Sequence, residues 1–312
     1  MRHGQIPGGR QYNTTCLSDL FQRPGILRGA RSILLFCFLL SLPASLGSCR
    51  KLPGPVTDEP VPEAPPVVDS MTVSLRFDAG GQAVRRVDLF CYSSTGTESL
   101  LKHMLCSNLS DTLSLKVPED AGTVICIANS PHAFNLNALA RFDAMKQLRF
   151  NFLDDDPAEP VLGGMAVIRD GSCSLSLKPL LCCITLVSVA NTLDGYELLE
   201  EPRVRLRDIP DSAEILRESD FRPAELIDAG PWTSLPYDVG YFPQKPGIRL
   251  WCYPNDTPEN VLGTPRPCLE FECLILGKTC TFEVPMPPLP RGCSKEVELT
   301  VNGPGDYRYK IR

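Results

Sequence analysis

A mainly β chain made of tandem sandwiches is predicted by three observations. Apolar residues recur at every second position in many short runs, turn residues punctuate those runs, and only one stretch carries a helical spacing. Met71, Val73, Leu75 and Phe77 alternate with Thr72, Ser74 and Arg76, the pattern of a half-buried strand. Asp78-Ala79-Gly80-Gly81 is a turn, and Val84 to Tyr92 is a second strand. Leu113 to Val117 alternates again and stops at Pro118. Gly122 to Ala128 is nearly continuous in apolar residues, which predicts a central strand.

The one predicted helix rests on Leu136, Leu139, Phe142, Met145 and Leu148, with Asn135 or Asn137 as its cap. Asp154-Asp155-Asp156-Pro157 reads as a solvated loop, and Ser174 to Leu177 resumes the strand pattern. Lys178-Pro179 interrupts the chain, so a boundary is placed there: one sandwich over residues 70–178 and a second over residues 179–312. Leu180 to Val189 is the strongest strand signal of all, and Val204 to Ile209 follows it. After an irregular, proline-punctuated stretch from Asp211 to Tyr253 come Leu269 to Leu276, Cys280 to Val284, Val297 to Val301 and Tyr307 to Ile311. Gly277-Lys278 is expected to turn a tight hairpin.

Upstream of the folded part, Arg28 and Arg31 precede the apolar run Ile33 to Leu42, which leads into Leu46-Gly47-Ser48-Cys49. A positive flank, a short apolar segment and a small-residue cleavage site are the parts of an export signal, and the run is too short for a membrane span of ~20 residues. With a cysteine directly after the small residues, the stretch resembles the lipobox of bacterial lipoproteins. That resemblance implies cleavage before Cys49, lipid on its thiol and an acylated new N-terminus. Residues 1–48 are read as the signal with a long lead-in, and Met1 to Ala30 as the product of a misplaced start codon. Residues 49–69 carry Pro53, Pro55, Pro60, Pro62, Pro65 and Pro66, a semi-rigid tether off the bilayer. The basic Arg50-Lys51 after Cys49 leaves the leaflet open.

Residues 1–48 hold five of the 31 Lys/Arg and one of the 37 Asp/Glu, so the remainder carries 26 against 36, a charge of −10. That excludes a nucleic-acid footprint and a polybasic membrane patch, which leaves the lipid on Cys49 to hold the outer membrane. Of 14 cysteines, Cys16 and Cys37 leave with the signal and Cys49 takes lipid; the other eleven are an odd number. Cys91, Cys126 and Cys280 occupy alternate strand positions, where cysteine serves as a small buried hydrophobe. Cys268, Cys273, Cys280 and Cys293 are spaced unlike a zinc site, and no cofactor or metal is expected.

His103 and His132 belong to no catalytic motif and read as surface or loop histidines, so no enzyme is expected. Trp251 and Tyr253, with Trp232, Tyr237 and Tyr241 upstream, form either a sugar-stacking platform or, at strand spacing, core. Asp-Ser/Thr-apolar tripeptides mark Ser70, Thr112 and Ser212, and resemble O-glycosylation acceptors.

The order of lipobox, proline tether, alternating strand, helix after a Val-Ile-Cys-Ile-Ala-Asn strand, then a strong strand opening a second half resembles the fimbrillin-like lipoproteins of anaerobic Gram-negative bacteria. It is most like the minor anchor subunits of their fimbriae. Carrying the resemblance are Leu177 to Leu186, Leu250 to Thr257, and Leu289-Pro290-Arg291-Gly292 through Leu299-Thr300-Val301. The resemblance implies transthyretin-like sandwiches, fimbrial subunits as partners, and assembly by strand exchange. Stalk subunits are implied to lose a first strand to an arginine-specific protease. Here Arg76 lies inside that strand and the lipid would leave with it, so an uncleaved base subunit joined through an edge strand, Tyr307 to Arg312, is expected. The other reading is an outer-membrane lipoprotein that binds a glycan or host surface.

Overall fold

The computed structural model describes residues 69–94, 96, 98–107, 112–258 and 265–312, with the backbone alone at Tyr196. The export stretch, Cys49 and the tether up to residue 68 lie outside them. In the first half run β1 (Ser70–Asp78), β2 (Val87–Ser93), β3 (Leu100–Cys106), β4 (Thr112–Pro118), β5 (Ala121–Ala128), helix α1 (Phe142–Lys146), β6 (Arg149–Asn151), β7 (Leu162–Val167), β8 (Ser172–Ser176) and β9 (Lys178–Pro179). In the second run β10 (Cys182–Asn191), β11 (Glu200–Pro210), β12 (Ser212–Glu214), β13 (Leu226–Ala229), β14 (Thr233–Ser234), β15 (Ile248–Cys252), β16 (Cys268–Ile275), β17 (Lys278–Pro285), β18 (Ser294–Gly303) and β19 (Asp306–Ile311).

The strands form two β-sandwiches in tandem. In the first, the sheet β4-β1-β8 faces the sheet β3-β2-β5-β7-β9 across a core of Val73, Leu75, Leu89, Val124 and Leu175. In the second, β15-β10-β18-β19 faces β13-β11-β16-β17 across Ile184, Leu186, Phe271, Phe282 and Val297. A third apolar layer joins them. Phe90, Tyr92, Ile125 and Ile127 point away from the first core, into a cluster with Met145, Leu180, Ile215, Phe221 and Tyr253. β2 and β5 are therefore buried on both faces, and their continuous apolar runs follow from that.

Two local expectations give way to tertiary pairing. The helix is only five residues long, because Arg141 is extended and bridges Ser99 while Leu100 donates to the Ala140 carbonyl. Asn135 caps a turn instead, its Oδ1 accepting from Asn137 N–H at 3.2 Å. The β16–β17 hairpin turns at Leu276-Gly277, one residue earlier than expected, since Ile275 pairs with Lys278. Both turn residues have positive φ, 51° and 72°, as the tight right-twisted hairpin demands.

The supposedly solvated Asp155 is buried in the joining layer. Its carboxylate accepts from Val161 N–H at 2.9 Å and from the Tyr253 hydroxyl at 3.1 Å, while the Asn151 carbonyl lies 3.2 Å from that hydroxyl. Burial pushes its pKa up from 3.8 to about 6, against the two hydrogen bonds and with the neighbouring Asp156. The folded chain thus holds a proton that the unfolded chain releases. Stability from this group is complete below about pH 4 and falls as pH rises through about 6, by about 2–3 kcal/mol. Asp155→Asn keeps an acceptor for Val161 and is expected to flatten the melting temperature against pH across that window.

Candidate assembly edge

The C-terminal hairpin is built by alternation. On β18, Val297, Leu299 and Val301 are buried, and on β19 Tyr307 and Ile311 pack against the same core. Pro304 and Gly305 turn the chain between Gly303 and its partner Asp306, with Gly305 at φ 75°. Among the described residues β19 pairs with β18 and with no other strand.

Its hydrogen-bond phase decides what it offers. Glu296 and Arg312 exchange both backbone bonds, at 3.2 and 3.0 Å, so alternate pairs do the same and the intervening ones do not. Tyr307, Tyr309 and Ile311 therefore direct their N–H and C=O groups away from β18, along an open edge. Two other long edges are partly capped: the Lys102 ammonium donates to the Lys116 carbonyl of β4, and the Tyr307 hydroxyl donates to the Glu283 carbonyl of β17 at 2.7 Å. No hydrogen bond reaches the outward groups of Tyr309 and Ile311 among the described residues. Tyr309 is 45% exposed and stacks on Tyr307, whose ring packs edge-on against Phe282. Arg308 and Lys310 are exposed on the opposite face without an ion-pair partner among the described residues, whereas Arg312 pairs with Glu298 at 2.9 Å.

The residues singled out from the sequence are dispersed. Ser70 is exposed at the start of β1 and Thr112 at the start of β4. Ser212 is half-buried in β12, its hydroxyl donating to Asp211 at 3.1 Å. Arg76 is exposed, but β1 is the middle strand of its sheet, with Arg76 opposite Thr112 of β4 and Ser174 of β8. His103 is a strand residue rather than a loop one; it holds the buried Asp88 at 2.9 Å and packs on Phe90. His132 is exposed and lies 3.3 Å from Asp154.

Tyr253 is core and Trp251 packs against it, so neither makes a platform. Trp232 is covered by the Arg203 and Arg205 guanidinium groups, 4.6 and 4.1 Å from its ring. Besides Tyr309, the exposed rings among the described residues are Tyr237, Tyr241 and Phe242, on one loop of the second sandwich. Of the three core thiols expected, Cys91 and Cys126 are fully buried. Cys280 is half-exposed, because β17 is a sheet edge and Cys280 lies near its hairpin end.

The sequence reading gave Arg291 no role of its own. Its buried guanidinium donates to the carbonyls of Gly163, Lys178 and Ile215 at 2.9, 2.6 and 2.7 Å, with Pro179 at 3.3 Å. It thereby ties the β17–β18 connection to β7, to β9 and to the segment after β12. Burial brings its pKa down to about 10, against the attraction of Glu218. Only the neighbouring Pro290 and Gly292 hint at a special turn: Gly292 has φ 67°, and a side chain there would meet Pro179 at 3.4 Å.

No family model and no curated protein matches the chain. Solved structures do. A candidate cell adhesion protein from Parabacteroides distasonis is similar at TM-score 0.61 and 11% identity, covering 78% of this chain and 96% of that one. Another from Bacteroides eggerthii matches at 0.55 and 12%, covering 78% and 94%. A fimbrilin from Porphyromonas gingivalis matches at 0.54 and 10%, covering 76% and 92%. At such identities the likeness is one of fold, and in fold this chain is fimbrillin-like.

Proposed function

We propose that the chain is a lipid-anchored subunit of a fimbria-type surface assembly, held in the outer membrane through Cys49 and joined to a neighbouring subunit by strand addition at β19. The observation that carries this reading is the uncapped edge: the backbone groups of Tyr309 and Ile311 face outward, and an extended segment satisfies such groups by adding a strand. Arg308 and Lys310 favour an incoming strand with carboxylates at alternate positions. The fimbrilin-like fold supports the assembly role. We read the chain as an uncleaved base subunit, since cutting at Arg76 would strip the middle strand from a three-stranded sheet and bare Val73 and Leu75. Ser70 and Thr112 are the acceptors best placed for glycosylation.

Tyr309→Pro tests the joint. Proline removes one outward N–H and leaves the β18 ladder intact, so the variant is expected to fold and melt near wild type while losing attachment of fimbriae to the cell. Attachment at the wild-type level by a folded Tyr309→Pro chain would overturn the assignment. The glycan-binding reading has one observation in its favour, the loop with Tyr237, Tyr241 and Phe242 at 71, 77 and 78% exposure. Retention on a saccharide column, lost in Tyr241→Ala, would move the assignment there.

A further inference from the structure

Three thiols lie side by side across neighbouring strands of the second sandwich. Cys182 opens β10, Cys252 closes β15 as its register partner, and Cys293 directly precedes β18. Cys183 N–H donates to the Cys293 carbonyl at 2.9 Å, which places Cys293 on the other flank of Cys182. The Cys182 thiol donates to the Pro290 carbonyl at 3.2 Å, the same carbonyl that accepts from Cys293 N–H. Cys182 and Cys252 are fully buried, while Cys293 is half-exposed. No disulfide links the eleven described cysteines, and among the described residues no group of three acidic, histidine or cysteine side chains is arranged to hold a metal ion.

We propose that Cys182 and Cys293 form a redox-sensitive disulfide that fastens the turn carrying Arg291. Backbone geometry selects this pair over its rivals. Since Cys183 directs its N–H toward β18, Cys182 directs its own toward β15, and Cys182–Cys252 is a pair that exchanges both ladder bonds. Such pairs hold their side chains parallel with Cβ atoms at the wide end of about 4.5–5.5 Å, whereas a low-strain bridge needs Cβ atoms roughly 3.5–4.5 Å apart. Cys273 and Cys280, opposite each other two pairs from the β16–β17 turn, face the same obstacle. Cys293 stands outside the ladder, in the turn closed by its N–H to the Pro290 carbonyl at 3.2 Å, and is free to approach.

The oxidant is a small-molecule disulfide. Cys293, the exposed member, attacks it as a thiolate and expels one small thiolate. Cys182, after losing its proton, attacks the Cys293 sulfur and expels the second. Two protein thiols give up two electrons and two protons, and one external disulfide becomes two thiols. The neighbouring Cys182 thiol and burial hold the Cys293 pKa high, so exchange is slow at neutral pH and faster in alkaline buffer. Cys293 is two residues from Arg291, so the bridge restrains the guanidinium against the carbonyls it binds.

The full-length chain, reduced and freed of reductant, is incubated with oxidised glutathione, quenched with N-ethylmaleimide and digested without reduction. The expected product is a peptide pair joined through Cys182 and Cys293, present in Cys252→Ala and absent in Cys293→Ala. The oxidised wild type should melt higher than the reduced one by about 5 °C or more, and Cys293→Ala should show no such rise. A Cys182–Cys252 bridge, glutathione left on Cys293, or no bridge at all would overturn the pairing. A Cys182–Cys293 bridge without a rise in melting temperature would overturn the fastening.

Discussion

Replacing Arg291 with alanine is expected to lower the melting temperature by about 10 °C, which corresponds to roughly 3–5 kcal/mol for a folded part of this size. The loss is large because the substitution orphans several carbonyls at once, from Gly163, Lys178, Pro179 and Ile215, in a place water does not reach freely. The planar fork also reaches carbonyls from three separate segments together. A lysine in its place has three donors on one point, so Arg291→Lys should recover about half of the loss and no more. Glu218→Gln serves as the control: its carboxylate is exposed and 3.6 Å away, and its removal should cost less than about 1 kcal/mol. Thermal melts of the three variants decide the matter. An Arg291→Ala chain within a degree or two of wild type would show that the third apolar layer alone holds the sandwiches together.

How far the sequence reaches depends on whether a residue's partners lie in its own pattern. β1, β4, β18 and β19 were legible because one face meets a core and the other meets water, so the alternation is written out in full. β10 was legible through its β-branched run. β3 was missed, since Leu100-Leu101-Lys102-His103-Met104-Leu105-Cys106 is partly exposed nearly throughout and shows no period. The helix was overstated because a spacing of three in apolar residues says nothing about Ser99 pairing with Arg141.

Asp155 looked solvated inside a run of three aspartates, and only the distant Tyr253 shows otherwise. The open edge could be guessed from the last strand. Its phase could not, because that depends on the bonds between Glu296 and Arg312. Arg291 and the Cys182–Cys252–Cys293 row join residues from about 40 to about 130 positions apart, and no spacing rule covers such distances.

Cys49→Ala is expected to move the protein from the membrane fraction to the soluble fraction almost completely. Among the described residues no helix is long and apolar enough to cross a membrane, and the chain after residue 48 carries a charge of −10, which anionic lipid surfaces repel. A doubly acylated terminus binds stably where a single chain binds marginally, so loss of the thiol removes the whole anchor. The measurement is fractionation after a high-salt wash, with the alanine variant confirmed as folded by its melt. Retention of Cys49→Ala in the pellet would end the lipoprotein reading and leave the edge-strand reading to stand alone.

The joint itself is tested most directly by site-specific photo-crosslinking in cells that build fimbriae. A photoreactive residue at Lys310, exposed on β19, is compared with one at His132, exposed in a loop of the first half. The account predicts an adduct from position 310 heavier by one fimbrial subunit, lost when Tyr309→Pro is added, and no such adduct from position 132. No subunit adduct from position 310, or one that persists at full yield with Tyr309→Pro, would contradict it.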